Sequence, residues 1–160
     1  MAFRNQGKGH FQEAGRELGF TRQLVARGAA YADINNDGYP DILVTTNGGP
    51  AYLYQNQGRL DANAIRIKTV GTRSNRNGIG SVVRVHGNGG VNWQTVHSGS
   101  SYCSQSELTL TFGLGKASQA DLVEIAWPSG QHDTLKNLNA NITYTIQEGG
   151  KIQASRAFKR

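Results

Sequence analysis

A chain of 160 residues with 21 glycines, 37% apolar residues and one cysteine has the length of one ordinary domain or two small ones, enough to bury a core. No stretch approaches the about eighteen apolar residues of a membrane span, and the N-terminus lacks the charged-then-apolar profile of a secretory leader. Cys103 has no second cysteine to pair with, so the fold is expected to hold without a disulfide, and a buried free thiol is the default expectation for it.

The net charge of +6 raises nucleic acid as a partner, through Arg59, Arg66, Lys68, Arg73, Arg76 and Arg84 and a C-terminal set of Lys151, Arg156, Lys159 and Arg160. These cations are spread among strands and turns without a recognition helix or interleaved aromatics. That pattern argues against nucleic acid and for a solvated surface, or one that meets anionic glycans.

In chain order, Ala2, Phe3, Arg4, Asn5 and Gln6 form the first predicted strand, and residues 2–20 look like the closing strand of one sheet plus a linker. Phe3-Arg4-Asn5-Gln6-Gly7 recurs as Tyr54-Gln55-Asn56-Gln57-Gly58, a spacing of about fifty residues that is typical of propeller blades. Between the echoes lie strands at 28–32, 42–45 and 51–55, the last two separated by the turn Asn47-Gly48-Gly49-Pro50.

Asp33, Asn35, Asp37, Gly38 and Asp41 stand between the first two of these strands as D-x-N-x-D-G-x-x-D. Calcium takes six to eight oxygen ligands, and alternate side chains of a tight loop supply them from one side. Val44 occupies the twelfth position, where an EF-hand places its bidentate Glu, so the loop is not an EF-hand. Asp41 is the natural closing carboxylate, and the Tyr39 carbonyl the expected backbone ligand. A plain Asn/Asp/Gly turn would leave three Asp within nine residues repelling one another.

The run Asp33-Ile34-Asn35-Asn36-Asp37-Gly38-Tyr39-Pro40-Asp41-Ile42-Leu43-Val44, with Tyr52-Leu53-Tyr54-Gln55-Asn56-Gln57-Gly58 after it, resembles the FG-GAP/VCBS repeat, the calcium-binding blade of integrin-type propellers. The resemblance implies bound Ca2+ and an extracellular or cell-surface setting.

Beyond residue 62 the texture becomes seven short strands, at 65–70, 81–86, 93–97, 108–112, 122–127, 133–135 and 142–147, separated by Gly, Asn and Ser clusters. That spacing predicts an antiparallel β-sandwich or small barrel, with Leu108, Leu110, Phe112, Leu122, Val123, Ile125 and Trp127 in its core. Ser74-Asn75-Arg76-Asn77-Gly78-Ile79-Gly80, Gly99-Ser100-Ser101-Tyr102 with Ser104-Gln105, Phe112-Gly113-Leu114-Gly115 and Trp127-Pro128-Ser129-Gly130 resemble the ASPIC/UnbV domain, which follows FG-GAP/VCBS repeats in secreted proteins. The predicted organisation is an all-β chain: a partial FG-GAP/VCBS region at 1–58, an ASPIC/UnbV-like domain at 62–149 and a basic tail at 150–160.

Catalysis is not expected. Ser100, Ser101 and Cys103 with His86, His97 or His132 are the only material for a nucleophile and base, and no nucleophile elbow is present. Glu107, Asp121, Glu124 and Asp133 show no spacing that marks a carboxylate pair. His86 and His97 are expected on neighbouring strand ends, without a nameable third metal ligand. Asn141-Ile142-Thr143 satisfies the N-glycosylation sequon. Of Trp93, Tyr102 and Trp127, the last is expected in the core, and Tyr102 is the better candidate for an exposed sugar platform.

A lone blade does not bury both faces or close its edges, and repeat folds need about three units. The strand Ala2 to Gln6 is therefore expected to pair with another copy of the chain, a heterologous contact that propagates into rings or filaments. The functional expectation is a non-catalytic, extracellular, calcium-binding structural subunit. The alternative is a fragment of a longer secreted propeller serving adhesion or ligand binding.

Overall fold

The computed structural model describes residues 2–58 and 61–159; Arg59 and Arg160, two of the cations counted above, lie outside the described residues. Every regular element in it is a strand. A hairpin of β1 (Phe3–Gly7) and β2 (His10–Glu13) stands alone as a two-stranded sheet, exposed along its whole length. After it come β3 (Ala26–Ala32), β4 (Asp41–Thr46) and β5 (Tyr52–Tyr54), which make the antiparallel blade β3-β4-β5.

The remaining strands are β6 (Asn63–Val70), β7 (Val82–Gly87), β8 (Gly90–Thr95), β9 (Leu110–Gly115), β10 (Gln119–Ala126), β11 (His132–Asn139), β12 (Ile142–Gln147) and β13 (Lys151–Ala157). They form two four-stranded sheets, β11-β10-β7-β8 and β13-β12-β6-β9. Alternate side chains of both sheets meet in one core: Val83, Val85, Val123 and Ile125 from the first, Ile65, Ile67, Phe112 and Ile146 from the second. At the tip of the β7–β8 hairpin Asn88 and Gly89 take φ of 52° and 73°, a mirror-image turn whose twist matches that of the strands.

Several expectations change here. The sandwich is not wholly antiparallel, because β12 runs parallel to β6, Tyr144 beside Ile67. Residues 151–157, read as part of a basic tail, are instead strand β13, paired along β12 with Ser155 opposite Tyr144. All seven of its side chains are exposed, so it shows no hydrophobic alternation for a sequence reading to find. The strand at 10–13 was missed for the same reason. Leu108 sits at the margin of the core and Leu114 is buried within it, but Leu122, expected in the core, is half-buried on the other face of β10 from Val123 and Ile125, beside Lys136 and His86. Cys103, expected as a buried thiol, is exposed in a Ser-rich turn.

Candidate functional site

The Asp loop leaves β3 and enters β4, and its acids hold the turn by accepting backbone amides. Asp33 Oδ1 accepts the Asp37 N–H (3.0 Å) and Asp33 Oδ2 the Gly38 N–H (2.9 Å). Asn35 Oδ1 also accepts the Asp37 N–H (3.2 Å), and Asp37 Oδ1 accepts the Tyr39 N–H (2.8 Å). Asp41 is buried and bridges two segments, its Oδ2 on the Ile34 N–H (3.1 Å) and its Oδ1 on the Asn56 N–H (2.9 Å). Asp33, Asn35 and Asp37 therefore share one turn, and Asp41 closes it.

Arg66 of β6 answers the charge crowding of the loop. Its Nη1 donates to Asp33 Oδ2 (2.7 Å), its Nη2 pairs with Glu107 Oε2, and its Nε donates to Thr111 Oγ1 (3.2 Å). The Asp33 side chain is wholly covered and that of Arg66 is 5% exposed. Arg66, read from the sequence as one cation of a solvated surface, is thus a buried tie between the blade and the sandwich. Its sequence signal was slight: Ile65 and Ile67 on either side face the core, so an Arg between them faces the opposite side of β6, and only the covering loop makes that side interior.

A second set of contacts holds the other flank of the loop. Lys159 N–H donates to the Asn36 carbonyl (2.7 Å), and Asn36 Nδ2 to the Ala157 carbonyl (3.2 Å). Gly38, at φ 89°, lies so close to the Phe158 ring that a Cβ there would stand 2.2 Å from Cδ2. No side chain other than hydrogen fits.

The Ser-rich segment before β9 runs beside the outer edge of β3. Ser101 Oγ accepts the Ala29 N–H and Ser106 Oγ the Tyr31 N–H, both at 3.2 Å, and the Glu107 N–H donates to the Tyr31 carbonyl (3.0 Å). Ser101 is thereby used as an edge cap, and His97 Nδ1 is 3.0 Å from the Thr95 carbonyl. His86, bonded to Glu124 (2.8 Å), and His97 lie toward opposite ends of the β7–β8 hairpin, so the two are not brought together.

The other sequence-predicted positions fall as follows. Trp127 is buried, as expected, with Nε1 donating to Asp133 Oδ2 (2.7 Å). Tyr102 is 71% exposed. Asn141 Nδ2, the atom a glycan would occupy, donates to Asn63 Oδ1 (2.8 Å), and its Oδ1 accepts the Ala64 N–H (3.3 Å). Ala2 to Gln6 pair within the chain, Arg4 opposite Gln12 and Asn5 opposite Phe11.

Glu148 was not singled out in the sequence, and it joins two of the motifs. Its Oε2 accepts the N–H groups of Thr72, Arg73 and Ser74 at 2.8, 2.7 and 2.8 Å, and its Oε1 accepts the hydroxyls of Ser74 (2.9 Å) and Ser129. Burial alone would raise its pKa, but these hydrogen bonds, from Ser129, Ser74, Thr72 and Arg73, outweigh that and hold it well below the usual carboxylate range.

The loop's donors are carboxylate, amide and carbonyl oxygens, the chemistry calcium prefers, and Asp33, Asn35 and Asp37 already lie in one turn. Among the described residues no three His, Cys, Asp or Glu side chains converge as a metal cluster. A cation here would therefore draw on Asn35 and a backbone carbonyl as well as the acids. Asp33 Oδ2 already takes both the Gly38 N–H and Arg66, but Asp33 Oδ1, Asp37 Oδ1 and the Asp41 oxygens each accept one amide and keep a lone pair for ligation. The residues present fit calcium on that ground.

A family model described as ASPIC and UnbV matches residues 71–153, and one described as an FG-GAP-like repeat matches residues 1–44. The first spans more than half of the 160 residues, and the chain belongs to the ASPIC and UnbV family. FG-GAP repeats are typical of extracellular and cell-surface proteins, and both kinds of domain are generally non-catalytic. Comparison with curated proteins gives no match. Among the described residues no helix is long and apolar enough to cross a membrane.

Proposed function

We propose that the chain is a non-catalytic, extracellular structural subunit that binds one calcium ion in the Asp loop and joins to further copies of itself by strand addition. Asp33, Asn35, Asp37 and Asp41 with the Tyr39 carbonyl would hold the ion. Bound calcium would supply positive charge to the acids that Arg66 does not neutralise and would stiffen the loop on which the two units meet.

The observation that carries the assembly reading is the state of the blade's edges. The β3 edge is covered by the Ser101 to Glu107 segment, while the sheet ends at β5. Leu53 of that last strand is 54% exposed, and Phe3 in the separate β1–β2 hairpin is 59% exposed. Among the described residues no strand pairs with the outer edge of β5, and that edge with the exposed hairpin would supply the two halves of a heterologous contact.

Light scattering in calcium tests this with the intact chain and a variant lacking residues 1–13, which removes the whole hairpin and leaves no orphan strand. The intact chain should form oligomers or fibres and the variant should remain monomeric. Identical monomers would sink strand addition and leave the second reading, a piece of a larger propeller used in adhesion or ligand binding. That reading is favoured by apolar residues on both blade faces, Ile42 on one and Leu43 on the other, each more than a third exposed.

A further inference from the structure

The outward face of the sheet β11-β10-β7-β8 carries a set of side chains that neither calcium nor strand addition uses. Register places Thr134, Glu124, Arg84 and Trp93 in one row across the four strands. The next row is Lys136, Leu122, His86 and Val91. Trp93 is 66% exposed and Val91 53%, although an indole gains much from burial and is seldom left open without a use.

The charges of this face are unevenly spent. Glu124 is engaged by His86 at 2.8 Å, while Arg84, directly across the strands from Trp93, and Lys136 have no ion-pair partner among the described residues. What remains for a ligand is an exposed aromatic ring, a guanidinium beside it and a further ammonium two strands away. A shallow recess lined by His86, Val91 and Asp121 adjoins them.

We infer that this face binds an extended acidic polysaccharide, with a sugar ring stacked on Trp93 and sugar carboxylates meeting Arg84 and Lys136. A pyranose offers an apolar C–H face to an indole and hydroxyls to neighbouring polar groups, which the His86–Glu124 pair supplies as donor and acceptor. A guanidinium recognises a carboxylate through two parallel hydrogen bonds, and the pleated sheet accommodates a chain lying flat across its strands. Trp93 thus takes the platform role for which Tyr102 was the sequence candidate. Tyr102 stands in a turn, with its carbonyl accepting from Ser104 Oγ, rather than directly across a strand from a guanidinium as Trp93 does from Arg84.

Trp93 also provides the readout. Trp127 is buried and hydrogen-bonded to Asp133, so the solvent-exposed tryptophan emission belongs to Trp93. The intact protein is titrated in EDTA with a short oligogalacturonate, a neutral oligoglucan and an oligothymidylate of equal charge. The expected result is a saturable change in Trp93 emission with the uronate alone, weakened by raising salt. By calorimetry its affinity should fall about ten-fold or more in Trp93→Ala and in Arg84→Ala, and less in Trp93→Phe, with unchanged melting temperatures. No saturable binding, equal binding of the neutral glucan, tighter binding of the oligonucleotide, or affinity unmoved by Trp93→Ala would each overturn it. EDTA keeps calcium out of the measurement, and Trp93 and Arg84 lie on neither the β1–β2 hairpin nor β5, so its outcome is separate from those of calcium and assembly.

Discussion

Glu148 concentrates at one residue what the serine and tryptophan motifs are for. Three successive amides and the hydroxyls of Thr72, Ser74 and Ser129 converge on a carboxylate that the chain itself supplies, so Ser74 and Ser129 form a clasp closing one end of the sandwich. Its folded pKa lies below its ordinary value of 4.5, which makes it a stabilising group at neutral pH. That contribution is complete above the unfolded pKa and is lost as pH falls below about 4.5 toward the folded value. Urea midpoints should therefore be lower for Glu148→Gln than for the wild type at pH 7, and the gap should narrow as the pH falls from 5 to 3. Parallel curves across that range would show that the carboxylate's charge does not matter to the fold.

Among the elements, β6 binds the two units by having two buried faces. Its Ile65 and Ile67 enter the sandwich core while Arg66 faces the blade, and Arg66 holds Asp33 and Glu107 together. Removing one partner of a buried ion pair strands the others in a poorly solvated place, at a cost of about 3–5 kcal/mol. Arg66→Met should lose stability of that order in chemical denaturation. Limited proteolysis should then cut first within residues 1–58, with the buried Trp127 emission kept, because the core does not include Arg66. Loss of the whole structure at once, or a loss below about 1 kcal/mol, would mean that Arg66 is not the tie between the units.

For the molecule as a whole, the calcium proposal turns on Asp37. Asp33 is tied to Arg66 and Asp41 to two amides, but among the described residues the Asp37 side chain bonds only to groups of its own loop, Tyr39 N–H and Asn35 Nδ2. A ligand bound only by the folded state stabilises it by roughly 2.7 kcal/mol at one hundred times its dissociation constant. Calcium should accordingly raise the melting temperature of the intact protein and chelation should lower it. Asp37→Asn should remove most of that response while leaving the metal-free melting temperature nearly unchanged. The same melting curve with calcium and with chelator, and no calcium by elemental analysis, would return the loop to a turn held by its own amides and by Arg66.

Much of this protein was legible locally. The Asp loop, the blade strands at 28–32 and 42–45, and core residues such as Phe112, Val123, Ile125 and Trp127 were read from turn chemistry and alternation, which act over a few residues. The echo Asn5-Gln6-Gly7 and Asn56-Gln57-Gly58 is equally local. In both copies the Asn side chain accepts the Gly N–H, at 2.8 and 2.9 Å, although one copy ends a strand of the separate hairpin and the other follows the last strand of the blade. What only the tertiary structure decided is where partners come from across 33 to 121 residues of chain. Examples are Arg66 for Asp33, Ala157 for Asn36, the serine segment for the β3 edge and the 72–74 amides for Glu148. Exposed strands such as β13 were invisible for the complementary reason: backbone pairing alone makes them strands, and it leaves no hydrophobic period in their side chains.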